Sequence, residues 1–183
     1  MSAPGIYYSN PYNSQSIGKA VNDFCRIIPN DNDWIVLQDG DICYLTPEWG
    51  KIIEKALDMA GNQYQILGAY TNRLRLTHQL HNGEFCDDHE MRYHYHIAKQ
   101  YEAKEDGITK TELPIAGCWM AFRKSTWKSL GGFFENTIAF DVDFCNRALK
   151  ERMSLGLVNR LYVYHLYRIW SAIPAYDVGH LPK

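Results

Sequence analysis

Between Ile17 and Ile28 the apolar residues Ile17, Val21, Phe24 and Ile28 recur three or four positions apart, which predicts an amphipathic helix with Ser14 or Ser16 as its N-cap. The aromatic run at residues 5–9 before it reads as a short strand, and Pro29-Asn30-Asp31-Asn32-Asp33 after it breaks the helical pattern. Trp34-Ile35-Val36-Leu37 is then apolar at every position, the mark of a strand covered on both faces, and it delivers Gln38-Asp39-Gly40-Asp41 at its carboxyl end. Thr46-Pro47-Glu48 supplies a cap residue, a first-turn proline and an early acid for a second helix. Its buried face is Trp49, Ile52, Ile53, Ala56 and Leu57, and Gly61 ends it.

Residues 65–70 form a second apolar strand, followed by a polar stretch over 71–88 without periodicity and a helical segment over 90–104. Residues 115–122 return to strand character. Ser125 is the expected cap of a short helix holding Trp127 and Leu130, and Gly131-Gly132 forces a turn. Residues 141–152 form a helix that buries Phe144, Cys145, Ala148 and Leu149, and Gly156 precedes a last strand over 157–164. Strands and helices alternate, so the expected class is α/β. No internal repeat or linker interrupts the 183 residues, and one domain is expected.

Composition narrows the function classes. The formal charge of −2 argues against the broad basic footprint that binds nucleic acid through counterion release. The apolar runs fall far short of the roughly 18 residues needed to span a bilayer, and residues 1–12 carry no signal-peptide core, so the cytoplasm is the expected compartment. Cys25, Cys43, Cys86, Cys118 and Cys145 are odd in number and never form a CxxC pair, which indicates reduced core or boundary residues. Seven histidines, among them His78, His81, His89, His94 and His96, lack the H-E-x-x-H spacing of a zinc site, and a solvated or acceptor-facing loop is the expected setting for these five.

Asp39-Gly40-Asp41 is the chemically loaded segment. Side-chain alternation along an extended strand would put both carboxylates on one side, and the glycine between them lets a ligand approach the backbone. Paired carboxylates repel unless a cation lies between them, and hard oxygen ligands suit Mg²⁺ or Mn²⁺. Asp-Gly is also an ordinary turn dipeptide, so a plain solvated turn is the alternative.

Further motifs fall into order around this one. Asn22 lies on the helix before the Asp39-Gly40-Asp41 strand. Ala116-Gly117-Cys118-Trp119-Met120-Ala121-Phe122-Arg123-Lys124 is a small-residue strand with a basic turn, and Leu130-Gly131-Gly132-Phe133-Phe134-Glu135 follows. Phe140-Asp141-Val142-Asp143-Phe144 opens a helix with Arg147, and Tyr164-His165-Leu166-Tyr167-Arg168 ends the last strand. In this set and order the chain resembles the GT-A glycosyltransferases, especially family 2 and the polypeptide N-acetylgalactosaminyltransferases, over residues 16–168. Phe140 stands where that pattern has Glu, and only 38 residues precede Asp39, so an abbreviated nucleotide-binding region is expected.

The resemblance implies a Rossmann-like GT-A domain over 1–183 with a mixed central sheet flanked by helices. Residues 1–45 would be the nucleotide-binding part and 46–183 the acceptor and catalytic part. It implies transfer of a sugar from a UDP- or GDP-sugar donor to an acceptor hydroxyl with Mn²⁺ or Mg²⁺ as cofactor. Asp41 and His165 are the implied metal ligands. Asp39 would touch ribose or reach the metal through water, Asn22 would contact the nucleotide, and Arg168 would assist the diphosphate through paired hydrogen bonds. Asp141 takes the position of the base in inverting enzymes. Its alternative is a helix N-cap or first-turn acid, and the His-x-x-Arg ending resembles retaining enzymes as well. For Asn22 the alternative is a plain helix residue, and Trp119 and Trp127 read as packing before sugar platforms. Two rival functions stand beside the transferase: a metal-dependent nucleotidyltransferase, which would release pyrophosphate, and a noncatalytic sugar- or nucleotide-binding relative.

Overall fold

In the computed structural model, which describes residues 3–11 and 16–166, strand β2 (Trp34–Gln38) shows why its apolar run is unbroken. Ile35 and Leu37 turn to one face of a sheet, where they meet Val21 and Cys25 of helix α1 (Ile17–Ile27) and Phe144, Cys145 and Ala148 of helix α5 (Phe140–Lys150). Trp34 and Val36 turn to the other face, against Ile52, Ile53, Ala56, Leu57 and Ala60 of helix α2 (Trp49–Ala60). Covering both faces excludes water from all four side chains, none more than 2% exposed, and each such burial is worth about 1.5–3 kcal/mol. The same alternation recurs in β6 (Trp119–Arg123), where Met120 and Phe122 join the first cluster and Trp119 and Ala121 the second.

The fold is therefore α/β, a mixed open sheet of seven described strands flanked by helices. The remaining strands are β1 (Ile6–Ser9), β3 (Ile42–Tyr44), β4 (Ile66–Thr71), β5 (Ile108–Thr111) and β7 (Leu155–His165). The sheet order is β1-β2-β6-β4-β7-β3, with β5 pairing β7 as well. β1 runs parallel to β2, and β4 parallel to β7, while β6 lies antiparallel between β2 and β4. It follows that β1, β2, β4 and β7 all point the same way. Helix α3 (Met91–Glu102) packs Ile97, Ala98 and Tyr101 on Tyr162 of β7, and the short α4 (Lys124–Ser129) follows β6. Among the described residues no helix is long and apolar enough to cross a membrane.

Local chemistry explains where the observed elements differ from the expected ones. Ser16 does cap α1, accepting from the Lys19 N–H at 3.0 Å, and Gly61 with φ +49° ends α2. The expected strand over 115–122 begins only at Trp119. Side chains claim the earlier backbone donors: Ile115 N–H meets Cys145 Sγ, Ala116 N–H meets Gln79 Oε1 and Gly117 N–H meets Asp141 Oδ2. Ser125 is not a cap. α4 starts at Lys124 without a side-chain cap, and the Ser125 N–H donates to Asp31 O. β3 and β5 lacked a sequence signal because they are three and four residues long, and β5 leaves Thr109 and Lys110 exposed.

Candidate metal centre

Because β2 and β7 point the same way, their carboxyl ends meet at one rim of the sheet, where open α/β sheets build sites. Asp39 follows β2 and His165 closes β7. β3 pairs antiparallel with β7 so that Ile42 lies opposite His165, and the Leu166 N–H donates to Asp41 O at 2.9 Å. The Asp39 N–H donates to Cys118 O at 3.0 Å, tying the segment to the start of β6. His165 Nε2 thereby stands 3.3 Å from Asp41 Oδ1 and 3.7 Å from Asp39 Oδ2. One ligand atom from each of the three residues lies within 4.8 Å of the others. Strand alternation is not what joins the two carboxylates: Asp39, Gly40 and Asp41 lie beyond β2, and a turn at 40–41 brings them together on the way to β3.

His165 is held from behind. Its backbone N–H donates to Asn72 Oδ1 at 2.8 Å, and Asn72 Nδ2 returns a bond to His165 O at 3.3 Å. Its Nδ1 lies 3.0 Å from the carbonyl oxygen of Arg73. A carbonyl only accepts, so Nδ1 carries the proton and Nε2 is the nitrogen turned to the carboxylates. With the ring neutral, three acceptor groups then face one another, an arrangement that calls for a proton or a cation between them. The carboxylates respond differently. Burial pushes Asp39 up to about 6, with the charges of Asp41 and Asp141 adding to the rise and His165 opposing it. Where a proton lies on Nε2, its hydrogen bond to Asp41 holds that carboxyl below the usual carboxylate range. Both side chains stay close to half exposed, at 43% and 48%, so the cluster opens to a ligand.

The opening is a cleft of about 360 Å³ that Asp39 and His165 share with Asp141. Asp141 sits in the first turn of α5, and its carboxylate accepts from Gly117 N–H at 2.6 Å through Oδ2 and from Val142 N–H at 2.8 Å through Oδ1. It is not the N-cap, a position taken by Ala139, which makes no side-chain cap bond. Burial raises the Asp141 carboxyl, and the two backbone donors oppose that rise only in part. Ile17, Leu74, Leu76, Ile138 and Phe140 form much of the remaining wall, with Arg75 on the loop after β4.

Other residues singled out in the sequence take different places. Asn22 acts as a clamp within the fold: its Oδ1 accepts from Phe133 N–H and Trp127 Nε1, both at 2.9 Å, and its Nδ2 donates to Phe133 O and Glu135 Oε1. These bonds use its whole hydrogen-bonding capacity. Gly132 follows from the clamp, since at φ +82° an added Cβ would lie 2.9 Å from Asn22 Oδ1. Asp143 pairs with Arg147 at 2.8 Å, and Arg147 donates to the carbonyls of Leu130 and Gly132, which makes that acid structural. Trp119 is fully buried and donates to Tyr44 OH at 2.8 Å, and it packs as expected. His94 is not on a solvated loop; it is buried between Tyr162 OH at 2.9 Å and Asp88 O at 2.7 Å. Among the described residues the histidines of 78–96 form no three-ligand cluster. Arg168 lies outside the described residues.

Sequence reasoning missed Asn72, Arg73 and Gln79, which support the site. The Arg73 side chain, 1% exposed, donates to the carbonyls of Cys86, Asp87 and Leu166, and Gln79 bridges Ala69 O and Ala116 N–H. The one signal for the first two was an Asn-Arg pair directly after an apolar strand, the place where site residues collect in such sheets. No protein-family model matches this chain, and no curated protein matches it at a significant level.

Proposed function

We propose that this chain is a metal-dependent glycosyltransferase of the GT-A kind that moves a sugar from a UDP- or GDP-sugar to an acceptor hydroxyl, by inverting displacement. The observation that carries the reading is the convergence of Asp39, Asp41 and His165 from opposite halves of the chain, with Asp39 and His165 lining a cleft they share with Asp141. Two carboxylate oxygens and one imidazole nitrogen suit Mn²⁺ better than Mg²⁺, because Mg²⁺ prefers oxygen throughout. A divalent ion held by these three residues would offset the charge of a nucleoside diphosphate leaving group.

The chain's own contribution to the chemistry is proton transfer and positioning. As the acceptor oxygen bonds to the anomeric carbon, the bond from that carbon to the diphosphate oxygen breaks and the diphosphate leaves with the electron pair. The hydroxyl proton passes to the carboxylate of Asp141. A carboxyl raised by burial is a better base near neutral pH than an ordinary one, and the bonds from Gly117 and Val142 fix its direction. Asp39 in the cleft wall and Asp41 beside it make this end of the site acidic, which favours a cation-bound diphosphate there over a bare one.

Calorimetry of Mn²⁺, and then of UDP or GDP with Mn²⁺ present, tests the metal assignment in the parent and in Asp41→Ala. Binding that depends on the ion and disappears in the variant is expected; unchanged, metal-independent affinity would refute it. Product analysis separates the rivals, since release of nucleoside diphosphate marks glycosyl transfer and release of pyrophosphate a nucleotidyltransferase. Binding without turnover across donors and acceptors would leave a noncatalytic relative.

A further inference from the structure

The wall of the cleft points to a class of acceptor. Among the described residues lining this cleft none is Ser, Thr, Asn, Gln, Tyr or Trp. Its polar side chains are Asp39, Asp141, His165 and Arg75, and the first three are already committed to the ion and the proton. Facing them, Ile17 and Ile138 line the cleft although 39% and 50% exposed, and Leu74 and Leu76 on the loop after β4 continue the apolar wall. Isolated exposed apolar residues are ordinary, but apolar walls converging on polar groups in one concave space are the usual form of a small-molecule site.

We propose that the acceptor presents its hydroxyl to Asp141 from an apolar body, an aliphatic or aromatic alcohol, and that Ile17, Ile138, Leu74 and Leu76 hold that body. The inference rests on the transferase reading and names the acceptor class for the same site. The acceptor has to bring its hydroxyl to Asp141, so its body lies against the part of the cleft wall beside that residue. An apolar body gains from leaving water against these side chains.

The test uses the full chain with Mn²⁺ and two acceptor probes, 2-naphthol and the disaccharide maltose. Saturation-transfer NMR measures binding, and nucleoside diphosphate release from UDP-glucose and GDP-mannose measures turnover. Naphthol is expected to bind and maltose not, and Ile138→Asn and Ile17→Asn should each weaken naphthol binding about tenfold while leaving Mn²⁺ affinity and melting temperature unchanged. Naphthol that fails to bind, binds equally well to both variants, or is matched by maltose overturns the apolar acceptor. The transferase reading fails separately: naphthol binding that responds to Ile138→Asn, with no diphosphate released from either donor, keeps the apolar cleft and removes glycosyl transfer. Release stimulated by maltose alone does the reverse.

Discussion

Lowering the pH should loosen the proposed ion in a way set by Asp39. Its carboxyl is raised to about 6 because folding removes water from it and places Asp41 and Asp141 nearby, and a metal ligand must shed its proton before it can bind. With that value Asp39 is about nine-tenths ionised at pH 7 and about one-tenth ionised at pH 5, so proton competition here alone lowers Mn²⁺ affinity about tenfold across that interval. Calorimetric titrations at pH 5, 6 and 7, repeated in two buffers of different ionisation enthalpy, give both the affinity and the protons released. Asp39→Asn should flatten much of the dependence while weakening binding at pH 7. In the metal-free protein the sign is opposite to that of an ordinary paired carboxylate. The folded state prefers Asp39 protonated, so its contribution to stability is present below about pH 4 and is lost as pH rises through about 6. An affinity that stays flat from pH 5 to pH 7 would refute Asp39 as a ligand with a raised carboxyl.

Asp141→Asn should leave Mn²⁺ and nucleotide binding intact and cut sugar transfer by roughly 10² to 10⁴, the range attributed to a general base; a rate within a few fold of the parent would end that role. Asp143→Asn is its control. It should lower the melting temperature by loosening Arg147 from the Gly131-Gly132 turn while sparing turnover per folded molecule. Asn22→Ala strands Phe133 N–H and Trp127 Nε1, each a loss of about 1–3 kcal/mol when buried, so chemical denaturation should show a clear drop in stability at unchanged Mn²⁺ affinity. A variant of parental stability with weakened nucleotide binding would instead restore Asn22 to the ligand.

The residues legible in advance were those whose role is local or carried by a motif. The unbroken run Trp34-Ile35-Val36-Leu37 announced a strand covered on both faces, and Asp39, Asp41 and His165 do converge as their motifs implied. What the sequence hid was whatever depends on a partner far along the chain. Asn22 could not be told from a ligand residue because its four bonds go to residues 105 to 113 positions away. The loop over 115–118 looked like strand because nothing local shows that Cys145, Gln79 and Asp141 will take its N–H groups. The polar stretch after β4 looked like a featureless loop, yet it supplies Asn72 and Arg73 to hold His165, a contact made across more than 90 residues.

The place of β7 in the sheet has a consequence for how the protein is made. It is the last described strand, yet it lies inside the sheet with β4 on one edge and β3 and β5 on the other. During synthesis Asp41 is complete 124 residues (165 minus 41) before His165. Until β7 arrives, β4, β3 and β5 all wait with open edges, the condition in which a nascent chain pairs wrongly with its neighbours. Docking that one strand closes three edges and brings His165 to Asp39 and Asp41 in a single step, so, if these residues hold the proposed ion, a ribosome-bound chain stopped before β7 should hold no Mn²⁺ at this cluster and should depend most on chaperones.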